Sequence, residues 1–118
     1  MPIAEPQQLD QAFHALADSN RRAIVARLTR GAASVSELAA PLDVSLPTVL
    51  QHLDVLQRSG LVRSEKVGRV RTCRLEPGPM DAVEHWIARH RAVWERRLDR
   101  LGDVLDETFP TTKDQGTR

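Results

Sequence analysis

Between Ser45 and Leu75 the chain carries six bases (Arg58, Arg63, Lys66, Arg69, Arg71, Arg74) against two acids (Asp54, Glu65), although the 118-residue protein has a formal charge of only +1. The flanks compensate: residues 1 to 44 hold four bases and five acids, and residues 76 to 118 hold seven and nine. Positive charge concentrated in one segment of a nearly neutral chain suits a partner with a regular negative lattice, and duplex DNA is such a partner. Ahead of all six bases, Ser45, Leu46, Pro47, Thr48, Leu50, Gln51 and His52 are short, apolar or amide-bearing groups without a long charged arm. Such groups suit base-edge contact: Gln51 has the two-pronged amide that pairs with adenine, and Thr48 or Leu46 offers carbon to a thymine methyl. Lys66, Arg69 and Arg71, around Gly68, suit phosphate oxygens or the minor groove; the alternative is charge protection of an exposed strand edge.

Other chemistries have less material. The four histidines (His14, His52, His85, His90) are scattered, with no glycine-rich phosphate loop or nucleophile motif beside them, so no catalytic residues and no enzyme are expected. A single cysteine, Cys73, excludes an intramolecular disulfide framework and a Cys-pair zinc site within one protomer. With no apolar targeting stretch, this points to the cytoplasm. No run is apolar over the ~20 residues a membrane span requires, so no membrane partner is expected. Aromatic residues make up 3% and there is no Tyr, which leaves little for stacking on single strands and favours duplex.

The elements that must position these residues read mostly as helices. Leu9, Phe13, Leu16 and Ala17 predict a first helix over about 7–17, after which Asp18 or Ser19 can cap a second helix over 20–30 that turns Ile24, Val25 and Leu28 inward. Ser34 and Glu37 have capping-box spacing and predict a short third helix from Val35 to about Ala40, before Pro41. Asp43 and Val44 form a turn, Ser45 caps a fourth helix that tolerates Pro47 in its first turn, and Val49, Leu53 and Leu56 share its inner face up to a stop at Gly60. LVRSEK and RVRTCRL are β-prone runs around Val67-Gly68, ended by Pro77 and Pro79. A last helix over 80–107 spaces Val83, Ile87, His90, Trp94, Leu98, Leu101 and Leu105 by threes and fours. At ~1.5 Å per residue it is about 40 Å long, more than so small a core can cover, and it needs a partner surface.

The expected fold is mainly α with a β wing, a winged helix-turn-helix in the order α-α-α-α-β-β-α, forming a single domain over residues 1–109 with a flexible tail at 110–118. FHALADSNRRAIVARL, VSELAAPLDVSLPTVLQHLDVLQRSGLV and SEKVGRVRTCRLEP carry a closer resemblance: from Phe13 to about Leu105 the chain resembles the ArsR/SmtB family of bacterial winged-helix repressors. The resemblance implies a homodimer built on the first and last helices, through Leu9, Phe13, Val83, Ile87, His90, Trp94, Leu98, Leu101 and Leu105. It further implies two reading heads presented to an inverted-repeat operator, with Ser45, Leu46, Pro47, Thr48, Leu50, Gln51, His52, Lys66, Arg69 and Arg71 on the DNA, and repression of the adjacent promoter. Leu50 stands where such proteins usually carry a small hydroxyl, and Ser19-Asn20 replace the usual Pro-Thr.

Where the family's arsenic- and cadmium-type sensors place a Cys pair, this chain has Ser34 and Ser36, poor ligands for soft ions. Asp81 and His85, four apart, with His90 and Glu95 beyond, depart from the family's last-helix zinc spacing, and His90 falls in the apolar register. No metal site and no cofactor are therefore expected, and Cys73 reads as buried filler. Trp86 and Trp94 read as dimer-core anchors ahead of a ligand pocket, and the sequence names no effector. The reading from another class is a winged helix whose hairpin and long helix bind protein without an operator.

Overall fold

The computed structural model describes residues 5–109. By packing, the chain falls into two units that meet between Glu84 and His85, inside the last helix. The reading of one domain over 1–109 did not anticipate that boundary, and the tail expected at 110–118 lies outside the described residues.

In the first unit, α1 (Glu5–Leu16) is followed by α2 (Ser19–Leu28), β1 (Ala33–Ser34), α3 (Val35–Ala39), α4 (Leu46–Arg58), β2 (Val62–Val67) and β3 (Val70–Leu75). A final helix, α5 (Pro77–Thr108), starts here and continues as the second unit. The architecture is a winged helix-turn-helix with one strand more than expected. β1 pairs antiparallel with β3 (Ala33 opposite Cys73, Ser34 opposite Thr72), which in turn pairs with β2, giving the order β1-β3-β2.

Local chemistry explains most boundaries. Asp18, in extended conformation, caps α2 by accepting from the amides of Asn20 and Arg21, which settles the choice between Asp18 and Ser19. Ser34 and Glu37 form a reciprocal capping box: the Glu37 amide donates to the Ser34 hydroxyl and the Ser34 amide to Glu37 Oε1. At the end of α4 the Gly60 amide donates to the Gln57 carbonyl and the Leu61 amide to that of Leu56, a Schellman closure that needs the positive φ of Gly60 (81°). A Cβ there would also stand 3.3 Å from Pro79 Cγ. Pro77 and Pro79, expected to end the strand, also lie in the opening turn of α5, where a missing amide costs no helical bond.

The core gathers Ile24, Val25 and Leu28 of α2, Leu38 of α3, Val49, Leu53 and Leu56 of α4, then Leu61, Val62, Cys73 and Val83. Each such Leu, Ile or Val contributes about 1.5–3 kcal/mol of burial. On α1 the inward face is Leu9, Ala12 and Ala15, with Leu16 packed at its edge, while Phe13 of the predicted helical stripe is exposed. Ala12 and Ala15 are fully buried where α1 contacts α2 and α4, so small side chains hold that face.

Among the described residues the second unit is helix alone, from His85 to Thr108, with Phe109 beyond. Trp94, Leu98, Leu101, Val104 and Leu105 are all exposed along it. Trp86 stacks on His90 with ring centroids 4.2 Å apart, and His90 Nδ1 lies 2.9 Å from the Trp86 carbonyl. No helix among the described residues is long and apolar enough to cross a membrane.

Candidate nucleic-acid interface

Because Val49, Leu53 and Leu56 are buried, the opposite side of α4 is presented to solvent. Leu46, Pro47, Leu50 and Gln51 are exposed over its first two turns. One turn on, Asp54 pairs with Arg58 at 3.0 Å, and an acidic group there limits the uncharged face to those two turns. Ser45 caps the helix: its hydroxyl accepts from the Thr48 amide at 3.4 Å and lies 2.9 Å from the Thr48 hydroxyl. The two hydroxyls are thus engaged with each other at the tip of the helix.

His52 requires a correction. Expected to face a base, its side chain is only 13% exposed and turned toward the junction of α1 and α2. Arg21 Nη1 stands 3.3 Å from His52 Nδ1, and Asp18 Oδ1 stands 3.9 Å from His52 Nε2. The same guanidinium donates to the carbonyls of Ala15 and His14 at the end of α1. The amide of Arg21 first, then that of Asn20 and the charge of Arg21, hold the Asp18 carboxyl below its ordinary range, against an opposing effect of desolvation. Neither Asp18 nor Arg21 was read from the sequence as part of this site; the available signal was that a cap and a base three residues later share a turn.

The hairpin separates its charges by face. β2 and β3 are in register from Val62 opposite Leu75 to Val67 opposite Val70, so Gly68 and Arg69 form a two-residue turn. Gly68 alone has positive φ (65°), the pattern of a type II′ turn. Strand alternation puts Arg63, Glu65 and Arg74 on the outer face and Ser64, Lys66, Arg71 and Cys73 on the inner one. Outside, Arg74 pairs with Glu65 (3.5 Å) and Glu76 (3.8 Å), and Arg63 with Glu76 (3.4 Å). Inside, Arg71 donates to the Ser64 hydroxyl (2.9 Å), which donates to Gln57 Oε1 on α4 (3.1 Å). Of the six bases between 45 and 75, three are therefore neutralised by carboxylates. Among the described residues no carboxylate pairs with Lys66, Arg69 or Arg71.

Those three bases line a cleft of about 390 Å³ with Leu50 of α4 and with Ser34 and Ser36 at the start of α3. The helix start, the reading helix and the inner wing thus converge. Leu50 is an exposed aliphatic wall of that cleft. Cys73, by contrast, is fully buried, and burial pushes its thiol pKa up.

Residues 16–65, from the end of α1 into β2, match the family model for a helix-turn-helix domain. The chain is 41% identical over 97 residues to the HTH-type transcriptional regulator Rv2034 of Mycobacterium tuberculosis, covering 82% of this chain and 88% of that protein. Among solved structures, the crystal structure of an ArsR family transcriptional regulator superposes with a TM-score of 0.71 at 49% identity, over 80% of this chain and 97% of that one. The protein belongs to the ArsR family of winged helix-turn-helix transcriptional regulators. Another similar structure is the homodimeric winged helix-turn-helix DNA-binding domain of a possible ArsR-family regulator from Mycobacterium bovis (TM-score 0.56, 25% identity, 79% of this chain and 83% of that one). In this ArsR-family chain no group of three His, Cys, Asp or Glu side chains stands together among the described residues, and Ser34 is engaged in its capping box.

Of the residues expected at a dimer interface, Leu9 and Val83 belong to the core of the first unit. Phe13, Ile87, His90, Trp94, Leu98, Leu101 and Leu105 are exposed. The correction for Leu9 and Val83 has a simple cause: a stripe continuous in sequence passes from residues covered within the protomer to residues that are not.

Proposed function

We propose that this ArsR-family regulator is a homodimeric repressor that binds an inverted-repeat operator and works in the cytoplasm. The observation that carries the reading is the sorting of charge on the hairpin. The three bases that no carboxylate pairs with among the described residues are those at the tip and inner face, beside an uncharged helix face two turns long. Arg69 and Lys66 take phosphates, Arg71 reaches one while held by Ser64, and Leu46, Leu50 and Gln51 meet base edges in the major groove. Pro47 and the paired hydroxyls of Ser45 and Thr48 shape the helix tip that enters first. A second copy doubles the reading head, so half-sites stand about one turn apart, on the order of 10 bp. A dimer seated across a promoter excludes polymerase by occupancy.

The second copy is argued from α5. Trp94, Leu98, Leu101 and Leu105 recur at intervals of four, three and four and are each close to half exposed or more, an apolar stripe too long to leave to water. The homodimeric state named for the Mycobacterium bovis domain supports the same assembly here.

Titration of duplexes by anisotropy at several salt concentrations tests the reading. Arg69→Ala weakens binding to every sequence and lowers the salt slope by ~1, because one counterion fewer is released. Arg74→Ala, at a base already paired, leaves the slope nearly unchanged, and Gln51→Ala relaxes preference at one base position. Absence of salt-sensitive duplex binding by the wild type would overturn the proposal in favour of a protein-binding winged helix. Equal losses from Gln51→Ala and Arg69→Ala on every duplex would refute the division between reading and anchoring.

A further inference from the structure

We propose that His52 is a positioning residue for the reading helix: it ties α4 to the junction of α1 and α2 and thereby sets the angle at which Leu46, Leu50 and Gln51 meet the groove. The inference rests on the reading of α4 as the element that enters DNA. Three helices converge at this ring. Arg21 closes the last turn of α1 by donating to the carbonyls of Ala15 (2.7 Å) and His14 (3.2 Å), and Asp18 caps α2 through the amides of Asn20 and Arg21. His52 joins both from the flank of α4, with Nδ1 3.3 Å from Arg21 Nη1 and Nε2 3.9 Å from Asp18 Oδ1.

The donor inventory assigns the tautomer. A guanidinium only donates, so Nδ1 must offer its lone pair, and the ring carries its proton on Nε2, on the side of the Asp18 carboxylate. Arg21 is thereby shared between two α1 carbonyls and α4, and a shift of α4 past the junction breaks that sharing. The rest of α4 is held by aliphatic contacts through Val49, Leu53 and Leu56, which resist separation but tolerate rotation better than a directed hydrogen bond does. Gln51 is the adjacent residue, so the lock acts directly beside a base-contacting group. His52 itself is too enclosed to reach a base edge.

The test combines a measurement on the free protein with one on duplex. In nitrogen NMR of the full chain at neutral pH, the His52 ring shows the Nε2–H tautomer with Nδ1 unprotonated; a ring protonated on Nδ1 alone, or averaging freely between tautomers, overturns the lock whatever the DNA result. On duplexes bound by the wild type, His52→Ala loses affinity on the order of tenfold for every sequence, with base preference and salt slope unchanged. His52→Asn, whose amide oxygen can replace Nδ1 as acceptor, recovers most of the loss, and His52→Gln, which extends past that position, does not. If His52→Ala fails to fold, the Asn and Gln variants carry the comparison on folded protein. Full affinity in His52→Ala or His52→Gln overturns positioning, and a changed preference at one base makes His52 a reader instead. Should the wild type bind no duplex, the DNA reading fails, and the tautomer still decides whether the junction is tied as described.

Discussion

α4 and α5 are both amphipathic helices whose apolar residues recur by fours and threes, yet they present opposite faces to the outside. In α4 the stripe of Val49, Leu53 and Leu56 is entirely buried, and what is left for a partner is the uncharged polar side with Leu46, Leu50 and Gln51. In the second unit the stripe itself, with Trp94, Leu98, Leu101 and Leu105, is exposed, and the polar side is occupied by charges of both signs. The same periodicity thus marks a helix that is consumed by its own core in one place and a helix that awaits a second surface in the other. Number of neighbours decides: α4 lies among α1, α2 and β2, whereas a 32-residue helix of about 48 Å outruns any core that 80 residues can build.

The contrast is broken or sharpened most strongly by the same truncation in both helices. Leu53→Ala removes a side chain that is 2% exposed and costs about 2–5 kcal/mol in denaturant unfolding, a large part of the stability of a small domain. Leu98→Ala, measured on dilute protein, changes protomer stability by no more than about 0.5 kcal/mol. Equal costs would mean that the α5 stripe is already covered within one chain and needs no partner. A smaller effect on stability but a larger one on assembly follows from Trp94→Asp: sedimentation at micromolar concentration gives a monomer whose melting transition is little changed, and duplex affinity falls because the two heads are no longer linked. A wild-type monomer under those conditions removes the basis for the dimer.

How much of this was readable beforehand follows the range of the interactions involved. The start and stop of α4 are written within a few residues, in Ser45, Pro47 and the Gly60 closure, and the Ser34 and Glu37 box is equally local. β1 is two residues long, and its identity as a strand comes only from Cys73 and Thr72, some forty residues later. Which of the six bases are neutralised depended on the register of β2 against β3, since Arg74 meets Glu65 across the ladder. The direction of His52 depended on Arg21, 31 residues earlier: periodicity places it at the border of the buried face, and only the junction of α1 and α2 draws it inward. The inward face of α1 was not legible in its larger apolar residues, since tight helix contacts select Ala12 and Ala15 while Phe13 stays exposed.

The smallest expected effect comes from a position where the two helices differ most simply. α4 has no glycine within it, while α5 carries Gly102 in its interior, four residues after Leu98 and three before Leu105, and a Cβ added there meets nothing within 4 Å. Glycine in a helix interior costs about 0.5–1 kcal/mol relative to alanine, so Gly102→Ala raises helix content and stability of the isolated chain by up to that amount, read by circular dichroism on heating. The space that makes the substitution harmless in one protomer lies next to the stripe assigned to the second. If Gly102→Ala leaves the dimer dissociation constant unchanged, the helices of the two copies touch through Trp94, Leu98, Leu101 and Leu105 with their backbones held apart. If it weakens the dimer while stabilising the helix, the backbones cross at Gly102, and the seam is a close one in which a small residue is as necessary as the apolar ones beside it.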